Sequence, residues 1–318
     1  MERLGVAARE RAQEYIRQRA RELEQARLDW DTGDEDESSV MQALSAFQNA
    51  DGGYGHGLEP DIRLPDSSAI CTSVALQVMT EVRVPADHPM AHDAITYLMR
   101  THDVTAGAWF QVPPNVDDAP HAPWWKHNPD LGEQIANPGA ELVSALYRFG
   151  HVPARWREAL AEKMVSYAES HHATFGIPDL VCFRRLAETP EVPEGLRRRL
   201  LSPLCAAIER LFIQNPDPGR WAAIGMGPLA VAPTPDSLFA DPLAELVQDA
   251  LDRVVADQQP DGSWAPAWSW SERHPEAWRK AEQEWRGILT LEALRQLTAY
   301  GRIEVQGGDY PSEIKRVV

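Results

Sequence analysis

A seven-residue pattern, Gln-x-x-Asp-Gly-x-aromatic, occurs twice in the chain and limits what the chain can fold into. The first copy runs from Gln48 to Tyr54 and the second from Gln258 to Trp264. Asp-Gly favours a tight turn, because glycine tolerates a positive φ. The glutamine can satisfy backbone groups left open at a helix end, and the aromatic ring can cover that end. Two copies, each after an apolar helical run, indicate a repeated structural unit.

A second signature of repetition lies inside the helical segments. Residues 72–76, 142–146 and 290–294 each end in Ala-Leu. Small residues at such points let neighbouring helices approach closely. The hairpin unit that these segments imply is roughly 45 residues or more, which lies in the range of helical repeats. The sequence therefore predicts an all-α protein built from five to six helix hairpins.

The two copies of the pattern resemble the QW repeat of the terpenoid cyclases and the related turns of protein prenyltransferase β-subunits. The match is good at residues 258–264, and at 48–54 if Tyr54 stands in for tryptophan. These families share an α/α toroid of stacked helix hairpins, so the resemblance implies that fold. It covers about residues 40–300, and its motifs mark the fold rather than the chemistry.

The region before the repeats has a different character. Residues 7–30 are rich in Ala, Glu, Arg and Gln and predict one helix with a thin apolar stripe, and residues 31–39 form an acidic loop. We therefore expect residues 1–39 to pack on the outside of a toroid domain that spans residues 40–318. A chain of 318 residues is long enough for such a domain.

Charge and composition exclude several classes of partner. The formal net charge is −17, which disfavours nucleic acid and an acidic bilayer surface. The sequence predicts no membrane span, since no run approaches about 18 apolar residues, and Met1 begins a charged segment rather than an apolar signal. The three cysteines, Cys71, Cys182 and Cys205, are scattered and indicate a reducing compartment. We expect a cytoplasmic protein.

Aromatic residues concentrate in the loops where a toroid would place its cavity. The segments expected to line the cavity are 56–68, 121–127 and 264–285, and eight of the 11 tryptophans lie within residues 109–125 and 264–285. Such clusters suit an apolar or cation-like ligand, because ring faces stabilise positive charge. The alternative is that these rings only cover helix ends. The candidate substrate-binding residues are His121, Trp124, Trp125, His127, Trp268, Trp270 and Trp285.

The family resemblance also points to an acid. Class II terpene cyclases protonate an alkene with an aspartate of a D-x-D-D motif at the start of an inner helix. The corresponding place here retains only Asp66, with Glu59 and Asp61 just upstream. A carboxyl group there could be a strong acid if it were buried beside others, but Asp66 could equally be only a helix N-cap. The candidate catalytic residues are Asp66, Asp61, Glu59 and His56.

These features predict acid-initiated cyclisation or rearrangement of a small apolar, isoprenoid-like substrate without Mg²⁺ or another cofactor. The Asp-x-Cys pair of the zinc-dependent prenyltransferases is absent, as is the aspartate-rich motif of ionising cyclases. Three histidines (His56, His121 and His127) with Glu59 or Asp61 could hold a metal, although they lack a fixed spacing, and we predict none.

Two alternatives stay open. One is a carbohydrate-active enzyme, glycosidase-like or lyase-like, which needs two carboxylates across an aromatic cleft. Any of Glu59, Asp61 and Asp66 facing Glu284 or Asp261 would meet that need. The other is a protein that binds a small ligand without catalysis.

Overall fold

In the computed structural model of the chain, residues 1–130, 135–214 and 216–304 are described. They form helices and isolated β-bridges but no β-strand. The all-α prediction is therefore confirmed. The α-helices in chain order are α1 (Val6–Arg19), α2 (Glu22–Thr32), α3 (Glu37–Ser45), α4 (Ala69–Glu81), α5 (Pro89–Thr101), α6 (Gly139–Phe149), α7 (Ala154–His171), α8 (Ile177–Glu188), α9 (Glu194–Ile208), α10 (Pro218–Ala223), α11 (Pro228–Val231), α12 (Ala244–Ala256) and α13 (Pro275–Ala299).

The chain divides into two compact units. The terminal unit consists of Met1–Leu44 together with Pro218–Val318, and the central unit consists of Ser45–Asp217. Two short 3-10 helices, Val116–Asp118 and His172–Thr174, and one π-helical turn, Glu209–Ile213, also belong to the central unit. A boundary near residue 40 and a toroid over the rest of the chain stay predictions.

In the central unit, α4, α6 and α8 pack side by side with α6 in the middle. The helices between them in the chain, α5 and α7, pack against α6 from outside this row, and α9 packs against α7 and α8. The chain thus alternates between the row and its outer layer. Apolar residues of α6, among them Leu142, Val143 and Leu146, are fully buried.

In the terminal unit, α13 packs against α1, α2 and α12. The expectation of one helix over residues 7–30 is wrong, because the backbone is extended at Ala20 and Arg21, and two helices result. The break lies where α13 packs closely: a Cβ on Gly287 of α13 would lie 2.7 Å from the Cβ of Ala20. Near the ends of the described chain, Leu4 pairs with Ile303 in a parallel bridge.

Residues 48–54, the first turn, fold back on themselves as the pattern predicts. The amide of Gln48 donates to the carbonyl of Gly52 at 3.3 Å. The buried backbone N–H of Tyr54 donates to the Thr72 hydroxyl in α4 at 3.1 Å. Gly52 has a φ of +88°, and a Cβ there would lie 2.5 Å from the carbonyl oxygen of Asp93. Only glycine fits this place without strain.

Residues 258–264, the second turn, repeat these contacts. Gln258 donates to the carbonyl of Gly262 at 3.0 Å. The N–H of Trp264 donates to the Thr290 hydroxyl in α13 at 3.1 Å. Gly262 has a φ of +91°, and its Cβ would lie 2.5 Å from the backbone of Arg11. The two copies are therefore one structural device, used once in each unit.

Each turn packs against the backbone of one particular helix and hydrogen-bonds to it. Gln48 also donates to the carbonyl of Met90 in α5 at 3.5 Å, and Gln258 donates to the carbonyl of Ala8 in α1 at 2.9 Å. The glycines contact the same two helices, at Asp93 and Arg11. Helix α1 therefore does for the second turn what α5 does for the first, although α1 precedes the second turn in the chain.

The start of α4 differs from the sequence-based expectation. Its N-cap is Ser68, whose hydroxyl accepts a hydrogen bond from the N–H of Cys71 at 3.0 Å. Asp66 instead accepts a hydrogen bond from the side chain of Asn115 at 2.8 Å. The interpretation of Asp66 as the N-cap is wrong, because a nearer hydroxyl takes that role.

Candidate functional site

Two of the loops singled out from the sequence lie against each other in the central unit. We call residues 56–68 and 113–127 the loop pair. Ile62 and His121 form an antiparallel bridge. On either side of it, the N–H of Arg63 donates to the carbonyl of Pro120 at 3.0 Å, and the N–H of Ala122 donates to the carbonyl of Asp61 at 2.9 Å. Backbone hydrogen bonds therefore fix the register of the pair.

An apolar cluster supports the loop pair. Its buried members come from both loops, from the residue just before the second loop and from the first turn of α4, and Ala119 and Trp125 pack against them. Trp125 is half-buried, and its indole Nε1 is buried without a hydrogen-bond partner. The neighbouring Trp124 is 47% exposed. The buried members are Ile62, Leu64, Ile70, Val112 and Val116.

The three candidate acids of this region differ in burial. Asp61 is almost fully buried, with 2% of its surface exposed. Glu59 is half-buried and accepts a hydrogen bond from the N–H of Asp61 at 3.4 Å. Asp66 is exposed and is held by Asn115. A carboxyl group that protonates an apolar substrate needs a site from which water is excluded, and Asp61 is the best buried of the three.

His56 is exposed and adopts a left-handed backbone conformation with a φ of +55°. Its Nε2 lies 2.9 Å from the side-chain oxygen of Asn49. The next residue, Gly57, also has a positive φ, and a Cβ there would meet the guanidinium group of Arg63 at 2.9 Å. A residue other than glycine rarely adopts this backbone conformation unless contacts with its surroundings stabilise it.

The other two histidines each have their own partners. His121 is buried, with Nε2 at 2.9 Å from the Asp117 carboxylate and Nδ1 at 2.8 Å from the carbonyl of Ala122. His127 lies 3.1 Å from the carbonyl of Val112. Across the described residues, no three His, Cys, Asp or Glu side chains come together closely enough to hold a metal ion. The histidines therefore do not assemble the metal site considered from the sequence.

The remaining candidate tryptophans belong to the terminal unit. Trp268 and Trp285 meet edge to face with ring centroids 5.1 Å apart. Trp268 also packs on Gly225, where a Cβ would lie 2.2 Å from the ring. Trp270 is buried and packs edge to face on Trp278 at 5.6 Å. The candidate set thus divides between the two units, and Trp270 belongs to the core of its own unit.

One acid and one tryptophan weighed for function have roles inside the second turn. Asp261 accepts hydrogen bonds from the N–H of Ser263 at 3.1 Å and from its hydroxyl at 2.7 Å. The Asp261 carboxylate also lies 3.6 Å from Arg286. Trp264 donates its indole N–H to the carbonyl of Val254 at the end of α12. These contacts give Asp261 and Trp264 roles in holding the second turn.

Sequence reasoning missed a buried polar cluster in the row formed by α4, α6 and α8. Its centre is Glu141, which is 6% exposed and accepts hydrogen bonds from Ser73, Gln77 and Arg185. The Cys182 thiol lies 3.8 Å from the same carboxylate. Burial, and then the Glu141 charge, raise the pKa of this thiol well above its usual range. The available signal was an acid within the otherwise apolar start of α6.

Comparison of the chain with family models, with curated proteins and with solved structures gives no match. The resemblance to toroid families therefore depends on the residues of the two turns. Within the described part of the chain, no helix combines the length and apolar character that crossing a membrane requires.

Proposed function

We propose that the protein is an α/α toroid enzyme that starts cyclisation or rearrangement of a small isoprenoid-like substrate by protonating it. The proposal of a toroid is supported by the alternation of helices in the central unit and by the two equivalent turns. Resemblance at the level of the fold does not establish the reaction. The reaction is argued from the loop pair.

Asp61 is the observation that carries the proposed reaction. Its carboxyl group is buried, and the next residue in the chain, Ile62, belongs to the apolar cluster that supports the loop pair. The proposal assigns the proton-donating role to this carboxyl group because water is excluded from a buried site. In the proposed step the Asp61 carboxyl gives its proton to one carbon of an alkene, and the positive charge appears on the other carbon.

Aromatic side chains supply the second requirement of the proposal. A carbocation is stabilised by ring faces, and Trp124 and Trp125 lie in the same loop pair as Asp61. The exposed Trp124 can contact a substrate, whereas the half-buried Trp125 fixes the loop to the cluster. The substrate class that fits is a small apolar alkene. The proposal places the protein in the cytoplasm, and no cofactor has a role in it.

Incubation of the purified protein with linear isoprenoids in D₂O, without added Mg²⁺, tests the proposal. Protonation by Asp61 and loss of a different proton would leave one deuterium in a product otherwise isomeric with the substrate. General acid catalysis contributes about 100-fold to 10,000-fold in rate, so Asp61→Asn should lower turnover by about 100-fold or more. Asp66→Asn is the matched control, because Asp66 lies in the same loop but is exposed, and it should change turnover by less than about threefold.

Two results would oppose the proposal. Products free of solvent deuterium would exclude protonation as the first step. Equal loss of turnover in Asp61→Asn and Asp66→Asn would exclude the assignment of the acid. A parallel panel of oligosaccharides covers the carbohydrate-active alternative, and binding of either class without turnover would favour a non-catalytic protein.

A further inference from the structure

His56 lies two residues after the end of the first turn, and its imidazole is hydrogen-bonded to that turn. The link is Asn49, whose side-chain oxygen lies 2.9 Å from His56 Nε2. The side-chain nitrogen of Asn49 donates to the carbonyl of Pro65 at 3.0 Å. A carbonyl oxygen can only accept a hydrogen bond, so this contact fixes which end of the amide carries nitrogen. The oxygen must then face His56.

The orientation of Asn49 determines the tautomer of His56. An amide oxygen accepts hydrogen bonds, so His56 Nε2 must carry a hydrogen. In the neutral ring the other nitrogen, Nδ1, then bears a lone pair. His56 is exposed. The geometry therefore presents a proton-accepting atom, Nδ1, at the surface of the loop pair.

Two further residues hold the Asn49 amide in place. Its nitrogen also donates to the Ser67 hydroxyl at 3.0 Å. That hydroxyl donates in turn to the carboxylate of Asp51 at 2.7 Å. Both amide hydrogens are thus used, and the chain of hydrogen bonds leads from the Asp51 carboxylate to His56.

The second turn forms without a histidine, so comparing the two turns shows which hydrogen bonds the turn itself needs. There the hydroxyl that donates to the turn's aspartate comes from Ser263, at 2.7 Å. The first turn has Gly53 at the corresponding place, and a Cβ on Gly53 would lie 2.7 Å from the Ser67 hydroxyl. The hydroxyl is therefore supplied from position 67, beside the loop of His56. At the place of Asn49 the second turn has Gln259, whose amide donates to the carbonyl of Asp257 instead.

The backbone around His56 also serves this arrangement. A Cβ on Gly55 would lie 2.2 Å from the carbonyl oxygen of Pro65, and the N–H of His56 donates to the same oxygen at 3.3 Å. His56 has a φ of +55°, a left-handed conformation that residues other than glycine rarely adopt. No such conformation is required of the second turn, where the chain continues without a histidine.

We propose that His56 is a proton-accepting residue that acts through Nδ1, and that Asn49 is the residue that positions it. The bound substrate loses a proton to the Nδ1 lone pair, and the Nε2–H stays hydrogen-bonded to Asn49. The exposed imidazolium then returns its proton to solvent. For the identity of the substrate the inference rests on the proposed function, in which the proton is the one lost when a carbocation becomes an alkene.

Nitrogen NMR of the full chain labelled at its 10 histidines measures the tautomer directly. The spectrum is recorded above pH 8, where histidine is neutral, and His56→Gln assigns the signal. We expect protonated Nε2 and unprotonated Nδ1. Asn49→Ala should raise the population of the other tautomer about fivefold, the equivalent of about 1 kcal/mol for one neutral hydrogen bond. Gln259→Ala, at the matching place of the second turn, should leave the His56 signal unchanged.

Reactivity gives a second readout. Diethyl pyrocarbonate acylates unprotonated imidazole nitrogens, and mass spectrometry locates the product. His56 should react at least as fast as His92, whose side chain is 57% exposed in α5. A mainly Nδ1-protonated His56, a tautomer unaffected by Asn49→Ala, or a His56 that stays unmodified while His92 reacts would each overturn the inference.

The outcomes separate this inference from the proposed function. If no isoprenoid is converted but the Nε2–H tautomer depends on Asn49, the proposed function is wrong and the positioned histidine stands. If isoprenoids are converted and the tautomer does not depend on Asn49, the inference is wrong and the proposed function stands.

Discussion

Replacing Gly262 by alanine tests the packing of the second turn against α1. Gly262 has a φ of +91°, and the added Cβ would lie 2.5 Å from the backbone carbon and oxygen of Arg11. These are main-chain atoms of a helix, so they cannot move aside as the end of a flexible side chain can. The N–H of Gly262 also donates to the carbonyl of Gln259 at 2.9 Å, which fixes the turn.

Two separate costs add in this variant. The left-handed conformation costs a non-glycine residue about 1–2 kcal/mol. Forcing a methyl group into a packed contact typically costs about 1–3 kcal/mol more. We therefore expect Gly262→Ala to lower the free energy of unfolding by about 2–5 kcal/mol.

A matched control separates the two costs. Gly33, also in the terminal unit, has a φ of +81° at the end of α2, and a Cβ there would meet nothing within 4 Å. Gly33→Ala should cost only the conformational part, about 1–2 kcal/mol. Urea unfolding followed by tryptophan fluorescence and circular dichroism measures both variants. Losses that agree within about 0.5 kcal/mol would refute the packing argument.

Two further predictions concern buried groups of the central unit. Thr72→Val keeps the side-chain shape but leaves the N–H of the fully buried Tyr54 without its acceptor, so it should lower the free energy of unfolding in urea by about 1–3 kcal/mol. Thr72→Ser keeps the hydroxyl and should recover most of this loss. Equal losses in the two variants would contradict the role of the hydroxyl. Burial holds the pKa of Cys182 well above its usual range, and Cys71 is also buried. At pH 8 a disulfide reagent that reacts with thiols should therefore label only the exposed Cys205 in the native protein, and all three thiols after unfolding. Rapid native labelling of Cys182 would show that its thiol is not held in this environment.

Local chemistry made the two turns predictable. The Asp-Gly step, the glutamine before it and the aromatic residue after it act over seven positions, so their spacing alone indicates the turn. The structure adds that Thr72 and Thr290 complete the two copies from the following helices. Both threonines open segments that end in Ala-Leu, a pattern that residues 142–146 of α6 share without a threonine.

What the sequence could not supply was the set of contacts between distant residues. In the first turn the hydroxyl that donates to the turn's aspartate comes from Ser67, whereas in the second turn it comes from Ser263 within the turn. The spacing of residues in the turn does not predict that a residue outside it supplies this group. The partners of Glu141 come from α4 and α8, two helices far apart in the chain, so no motif records them. The break at Ala20 likewise lies where Gly287 of α13 approaches closely, a contact between residues distant in the chain.

The use of α1 to complete the second turn has a consequence for protein synthesis. Gln258 reaches the carbonyl of Ala8 across 250 positions of the chain. A ribosome adds about 5–20 residues per second, so roughly 12–50 s separate the emergence of the two partners. During that interval the nascent chain carries a helix whose permanent docking site has not yet been translated. Chaperones that protect emerging segments should therefore be retained on the first 20 residues longer than on α4 and α5, whose shared turn is complete much earlier.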